Sequence, residues 1–224
     1  MSAWGQSMRP TDPITIWGRA DSSNVQAVMW GAAELGLPVQ RIDLGQRFGG
    51  LDTPEYRAMN PHGRIPTMRD GDLVMWESGA ILRYLASRYG DGGAFWPADP
   101  VARAPVDMWA EWAKQTGASQ FTYPIFWQCI RAPEDQRDPG MLARNIDAWE
   151  NALDRIEAQL QRQNWLAGRA FTLADVVAGH FFFRWFTLDI PRRPRPDVEG
   201  WYERLCARPA YREHVMVSYD GLRV

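Results

Sequence analysis

Apolar positions along the first third of the chain change period several times, and each change marks an element. Ile14–Trp17 is a short β-rich run that leads through Gly18–Ser23, a loop of turn and capping residues, into a helical stretch. Val25, Val28, Met29, Ala32 and Leu35 fall on one face of that helix, and Gly36 with Pro38 ends it. Val39–Asp43 reads as a second strand. Thr53 and Pro54 suit the cap and first position of a short helix ending near Asn60-Pro61. Pro66–Arg69 and Leu73–Trp76 flank Asp70-Gly71, a pair that favours a type I′ hairpin turn. Ser78–Tyr89 is the next helix, closed by Gly90. Two strands joined through a helix, then an antiparallel hairpin and a covering helix, imply a mixed four-stranded sheet.

Beyond Tyr89 the strand pattern disappears. Gly90–Pro105 is rich in Gly, Pro and Asp and reads as a linker. The division expected is an α/β domain at 12–90, a linker at 91–105 and an all-α helical bundle domain at 106–224. Trp109, Trp112, Ala113 and Thr116 mark a helix running from about Val106 toward Cys129. Leu142, Ile146, Trp149, Leu153, Ile156 and Leu160 alternate spacings of four and three, the stripe of an amphipathic helix in a bundle. Thr172 and Asp175 form an acidic variant of the capping box, with Phe171 and Val176 placed as a hydrophobic staple. The helix they start is expected to run on to Trp185, apolar almost all round, as the buried centre of the domain. Pro191–Pro196 is a stiff connector, and Trp201, Leu205 and Tyr211 belong to closing helices.

Composition narrows the function classes. Of 224 residues 46% are hydrophobic and 23% charged, which excludes wholesale disorder, and a net charge of -2 gives no basic field for nucleic acid or anionic lipid. Every basic side chain except Lys114 is an arginine, which reads as a compositional bias rather than an anion-binding device. Cys129 and Cys206 form no CxxC pair and no zinc spacing, so each reads as a small buried hydrophobe. His62, His180 and His214 are too scattered for a metal site, and His180, in an apolar helix, reads as a satisfied core residue. The arginines of Pro191–Pro196 have no interleaved aromatics and read as a solvated loop. No run is long and apolar enough to span a membrane, and residues 1–13 are too polar for a signal peptide, so a cytoplasmic location is expected.

Two sets of motifs carry a resemblance. Asn60-Pro61-His62-Gly63-Arg64-Ile65-Pro66-Thr67 and Trp76-Glu77-Ser78, the latter opening a helix, resemble the glutathione-binding domain of cytosolic glutathione transferases, bacterial theta-like or nu-like members of the serine type. Trp165-Leu166-Ala167-Gly168, Phe171-Thr172-Leu173-Ala174-Asp175 and Arg208-Pro209-Ala210-Tyr211 are similar to motifs of that family's helical domain. The likeness spans roughly residues 14–215 and is strong through the order and spacing of its parts. It implies a thioredoxin-like N-terminal domain and a homodimer, with glutathione as co-substrate and no metal.

The resemblance also implies site residues. Ile65-Pro66 would be a cis bond presenting the preceding backbone to the cysteine of glutathione, adding the tripeptide like a short strand. Ser78, also readable as an ordinary N-cap, would hold the γ-glutamyl carboxylate at a helix N-terminus, with Glu77 on the amino group. Arg64 would pair with the glycyl carboxylate. The sulfur falls to Ser22, Ser23 or Asn24. Counting back from Val25 and Val28 aligns Ser22 with the catalytic serine, and Asn24 falls where disulfide-reducing members place an asparagine. Where some members reach across the dimer with an acidic residue, this chain has Gln115. Trp109, Trp112, Phe121 and Tyr123, with Phe126 and Trp127, are candidates for the wall of an electrophile site.

Serine has no neighbouring base here, so Ser22 would donate a hydrogen bond to a thiolate. Such a bond contributes about 1.5–3 kcal/mol, equivalent to roughly one to two pKa units. The expected function is therefore attack of a glutathione thiolate on a small hydrophobic electrophile, a detoxification chemistry. A glutathione-dependent disulfide reductase or peroxidase is the alternative within the enzyme class. A non-catalytic binding or regulatory protein of the same fold is the alternative outside it. Neither nucleic acid nor membrane is expected as a partner.

Overall fold

The structure, a computed structural model, describes Pro10 and residues 12–223. The N-terminal segment expected to be no leader lies mostly outside the described residues, as does Val224. Strands β1 (Ile14–Trp17), β2 (Val39–Ile42), β3 (Thr67–Asp70) and β4 (Leu73–Trp76) form one four-stranded sheet in the order β2-β1-β3-β4. Strand β1 pairs parallel with β2 through α1 (Ser23–Glu34), and antiparallel with β3. The mixed sheet thus follows from the element order, because a parallel neighbour needs a crossover and an antiparallel one needs only a turn. Helix α2 (Pro54–Met59) starts where Thr53 accepts a 3.3 Å bond from the Tyr56 amide, and α3 (Ser78–Tyr89) follows β4.

One turn differs from expectation. Asp70 pairs directly with Leu73, so the hairpin loop is Gly71-Asp72 rather than Asp70-Gly71. Gly71 takes φ 55° while Asp72 stays at negative φ, the type II′ pattern with glycine at the first central position. The Asp70 carboxylate, released from the loop, accepts hydrogen bonds from Tyr84 and Tyr89 of α3 at 2.7 and 2.5 Å.

The linker is shorter than expected, because α4 runs from Pro100 to Thr116. Asp99 caps it by accepting from the Ala102 amide at 2.8 Å, and Pro100 occupies the first helical position. Pro105 lies inside this helix. Its missing N–H frees the carbonyl of Val101, a residue 81% exposed, so water can replace the lost partner. The helix expected to continue toward Cys129 changes form. Residues Gly117–Phe126 are π-helical, and α5 (Trp127–Ile130) follows. Pro124 supplies the cause, since its ring lacks an N–H and crowds the carbonyl four residues back.

Helix α6 (Pro139–Leu160) carries the expected stripe, with Ile146, Trp149, Leu153, Ile156 and Leu160 buried. The central helix is not continuous. Helix α7 (Leu173–Gly179) ends at His180-Phe181, and α8 (Phe182–Thr187) starts anew. At the break Phe181 packs onto Gly117, where a Cβ would stand 2.2 Å from its ring. His180 is buried but not satisfied: neither ring nitrogen has a hydrogen-bond partner among the described residues. Burial, with Lys114 and Arg184 nearby, pushes its pKa down to about 3.

Helices α9 (Pro196–Cys206) and α10 (Pro209–His214) close the chain, with Trp201, Leu205 and Tyr211 buried. The arginine run before α9 is not simply solvated. Arg195 is buried against Glu150 and also reaches Asp154 at 2.6 Å, while Arg193 pairs with Asp147 at 2.8 Å. Asp175 is fully buried and accepts from the amides of Thr172 (2.8 Å) and Leu166 (3.0 Å) and from Trp201 Nε1 (3.0 Å). The two domains share one core. Trp30 of α1 meets Tyr211 edge-on at 4.7 Å, and Arg208 forks onto Glu34 at 2.7 and 2.5 Å.

Candidate functional site

The loop between β1 and α1 is held from both domains. Its first residue, Gly18, sits at φ 151°, and any Cβ there would fall 2.5 Å from Val25. Arg41 donates to the Gly18 carbonyl at 2.9 Å, Arg47 pairs with Asp21 at 2.7 Å and Arg19 with the same carboxylate at 3.0 Å. From α8, the buried Arg184 donates to the Asp21 carbonyl at 2.8 Å. Two guanidiniums thus converge on the Asp21 carboxylate, and a third holds the backbone carbonyl of the same residue. Ser22 follows as the N-cap of α1, 8% exposed, and its hydroxyl makes no capping bond. The amides of the first turn and this local positive charge point the same way, toward stabilising an anion beside Ser22.

Opposite lies the segment before β3. Ile65-Pro66 is a cis peptide bond. The Arg64 carbonyl that precedes it is held by the buried Tyr56 hydroxyl at 2.6 Å and by Asn60 Nδ2 at 2.9 Å, and both also contact Thr67 Oγ1. The Arg64 backbone before the cis bond and the Thr67 side chain after it are therefore anchored by the same two residues. Arg64 itself is exposed and free to meet a ligand in solution.

The third edge is the start of α3. Glu77, and not Ser78, occupies the N-cap position, at φ 69° and ψ 110°, a conformation that a residue with a side chain rarely adopts. Ser78 is the first helical residue. Its hydroxyl lies 3.3 Å from Asn24 Oδ1 and accepts from Lys114 Nζ at 2.5 Å. Lys114 donates to Asn24 Oδ1 as well, at 2.8 Å. Burial lowers the Lys114 pKa, with Glu77 and Glu111 acting against that shift.

Together these edges enclose a cleft of ≈ 160 Å³. Ser23, Asn24, Arg64, Ile65, Pro66, Glu77 and Ser78 line it from the first domain. Lys114, Ala118, Thr122, Tyr123 and Phe181 line it from the second. Among the described residues no group of three or more His, Cys, Asp or Glu is placed to hold a metal, and no helix is long and apolar enough to cross a membrane.

Comparison with known proteins matches both halves. Residues 12–87 match the glutathione S-transferase N-terminal domain and residues 120–209 the C-terminal domain of the same family. Glutathione S-transferase GstB of Escherichia coli is 35% identical over 206 residues, covering 91% of this chain and 98% of GstB. The chain belongs to the glutathione S-transferase family. Glutathione S-transferase 3 of Zea mays is 32% identical over 91% of this chain and 93% of its own. The crystal structure of the theta class glutathione S-transferase from Xanthomonas axonopodis pv. citri with glutathione bound superposes with a TM-score of 0.86. It is 42% identical and covers 94% of this transferase and 99% of that chain.

Of the expected electrophile wall, the transferase brings only Tyr123 to the cleft. Phe121 is fully buried, stacked on Trp149 at 5.4 Å and edge-on to Phe181 and Trp185, and so belongs to the core. Phe126 is likewise fully buried. Trp109 and Trp112 pack edge-on against each other at 5.4 Å, away from the lining, while Trp127 meets Tyr123 at 4.6 Å. Gln115 is exposed and bonded to Glu111 at 2.9 Å. Sequence reasoning missed Lys114, Thr122 and Phe181 in the lining and the props Tyr56 and Asn60. The lone lysine on a helix facing two helix starts was the available signal for Lys114. The break at His180 that turns Phe181 toward the cleft left none.

Proposed function

We propose that this transferase activates bound glutathione as a thiolate, which attacks a small hydrophobic electrophile lodged against the π-helical segment. The observation that carries this reading is the meeting, in one cleft, of the α1 start, the cis Ile65-Pro66 backbone and the α3 start. Glutathione would lie along the backbone before β3, its cysteine amide and carbonyl bonding to Ile65 like an added strand. The γ-glutamyl carboxylate would sit at the α3 N-terminus on Ser78, the amino group on Glu77, and the glycyl carboxylate near Arg64.

Ser22, buried next to the lining residue Ser23 and not itself part of the lining, would donate its uncapped hydroxyl to sulfur, with the α1 amides and the arginines around Asp21 reinforcing the anion. A free thiol of pKa about 8.5 is only about 3% ionised at pH 7, so lowering it to about 6.5 raises the thiolate roughly 20-fold. Holding the electrophile beside sulfur, against Thr122 and Tyr123, supplies acceleration beyond that factor. A twofold dimer and a cytoplasmic location fit this reading.

The test is conjugation of a chloro-nitroaromatic assayed beside reduction of a small disulfide by glutathione. Conjugation is the expected activity. Activity on the disulfide alone would favour a second reading, glutathione-dependent disulfide reduction, which Asn24 supports by lining the cleft. No tryptophan fluorescence response to glutathione, with Trp76 37% exposed beside Glu77, together with no retention on immobilised glutathione, would favour a binding or regulatory protein of this fold without catalysis.

A further inference from the structure

Lys114, the one lysine of the chain, joins the two domains inside the cleft. Its Nζ spans from α4 to the first turns of two helices of the other domain, donating to Ser78 Oγ at 2.5 Å and Asn24 Oδ1 at 2.8 Å. Both acceptors are neutral. An ammonium has three N–H donors and no acceptor, so one donor remains. Among the described residues no carboxylate oxygen lies within the 4.0 Å of an ion pair with it. Glu77, next to Ser78, acts on the ammonium from beyond that distance, and Glu111, one turn earlier on α4, is taken by Arg83 at 3.2 Å and by Gln115 at 2.9 Å. A largely buried cation held only by neutral oxygens gains far more from an anion than an exposed lysine would.

We propose that Lys114 binds the γ-glutamyl α-carboxylate of glutathione, so that the helical domain contributes the cation of an anion site opened by α3. This rests on the glutathione reading above and extends it to a residue of the other domain. The carboxylate is favoured over the thiolate by placement. The shorter contact of Nζ is to Ser78, the first helical residue of α3, where unpaired amides and the positive helix end already select an anion. Toward the sulfur side Nζ reaches only Asn24 Oδ1. Because lysine can only donate, that contact also fixes which way the Asn24 amide faces: Oδ1 is engaged, and Nδ2 is the end left to meet sulfur. Lys114 is thus a binding residue for the carboxylate and a positioning residue for Asn24.

The test compares two ligands on two proteins. Tryptophan fluorescence titrations of full-length wild type and Lys114→Met use glutathione and γ-aminobutyryl-cysteinyl-glycine, the same tripeptide without its α-carboxylate. A charge-assisted hydrogen bond contributes about 1.5–3 kcal/mol, so wild type should prefer glutathione by about 10- to 100-fold. Lys114→Met should lose most of that preference, with KM for glutathione rising far more than kcat falls, and Lys114→Arg should recover part of it. An undiminished preference in Lys114→Met would overturn the assignment. So would unchanged affinity with a raised thiol pKa, which would move Lys114 to the sulfur. Wild type binding neither ligand would overturn the glutathione reading and this assignment with it. Should Lys114→Met fail to fold, the preference measured on Lys114→Gln decides on the same terms.

Discussion

The guanidinium of Arg184, in the buried helix α8, donates a 2.8 Å hydrogen bond to the backbone carbonyl of Asp21, the residue before Ser22. The centre of one domain thereby holds the loop that delivers the proposed sulfur ligand in the other. Arg184 also lies over the Phe126 ring at 4.4 Å, so the pocket accepts an apolar replacement of similar length. Arg184→Met should lower stability by about 1.5–3 kcal/mol, the contribution of a hydrogen bond to a charged group, and reduce kcat/KM for glutathione as the loop loosens. Urea unfolding with steady-state kinetics checks both. Lost stability with untouched kinetics would show that the loop keeps its place without this bond.

Three adjacent residues compete for the sulfur. The uncapped hydroxyl of Ser22 predicts that Ser22→Ala lowers turnover at least about tenfold, one pKa unit of thiolate stabilisation, while glutathione affinity barely moves. Ser23→Ala and Asn24→Ala serve as controls. If either reproduces the whole loss and Ser22→Ala does not, the sulfur lies one or two residues further along the helix.

Phe121 and Tyr123 are two positions apart in sequence and opposite in consequence. Phe121 is fully buried, and its replacement by alanine should cost about 3–5 kcal/mol. Tyr123 is 50% exposed in the cleft wall, so Tyr123→Ala should change stability by no more than about 0.5 kcal/mol. It should instead raise KM for the electrophile and leave KM for glutathione alone. Thermal melts and two-substrate kinetics separate these effects.

Buried His180 makes stability sensitive to acid. The folded state keeps it neutral down to about pH 3, whereas an unfolded chain protonates it near 6.5. Between those values the unfolded state binds the extra proton, so stability falls as pH falls, on the order of 4 kcal/mol by the lower end. Asp175 acts in the opposite direction, because burial raises its pKa and the folded state takes its proton first. Comparing wild type with His180→Leu isolates the histidine. The variant should match or exceed wild type at pH 7.5 and lose less stability between pH 6.5 and 4. Parallel pH profiles in urea would remove His180 as the cause.

Much of this architecture could be read from the chain because its signals were local. The sheet order followed from spacing and one crossover, and the capping pair Thr172 and Asp175 announced α7 directly. What could not be read depended on contacts between distant segments. Pro105 looked like a boundary, yet its cost is small where the freed carbonyl meets water. His180-Phe181 looked helical, yet the helix breaks there, at the point where Phe181 packs onto the distant Gly117. Aromatic spacing alone could not separate Phe121 from Tyr123, because a widened helix decides which of them faces the core. Lys114 was visible as the lone lysine, but its partners lie 90 and 36 residues away.

The segment Gly117–Phe126 closes its turns on bonds such as Trp127 N–H to Thr122 O, five residues apart rather than four. It therefore carries surplus length relative to an α-helix of equal rise, and each residue of an α-helix turns by about 100°. Removing one amino acid from this stretch would rewind it and swing every later side chain around the axis, exchanging which ones look into the cleft. Pocket shape in this transferase is thus adjustable by insertion or deletion as well as by substitution. Relatives differing by a single residue here should present different walls to their second substrate while holding glutathione identically.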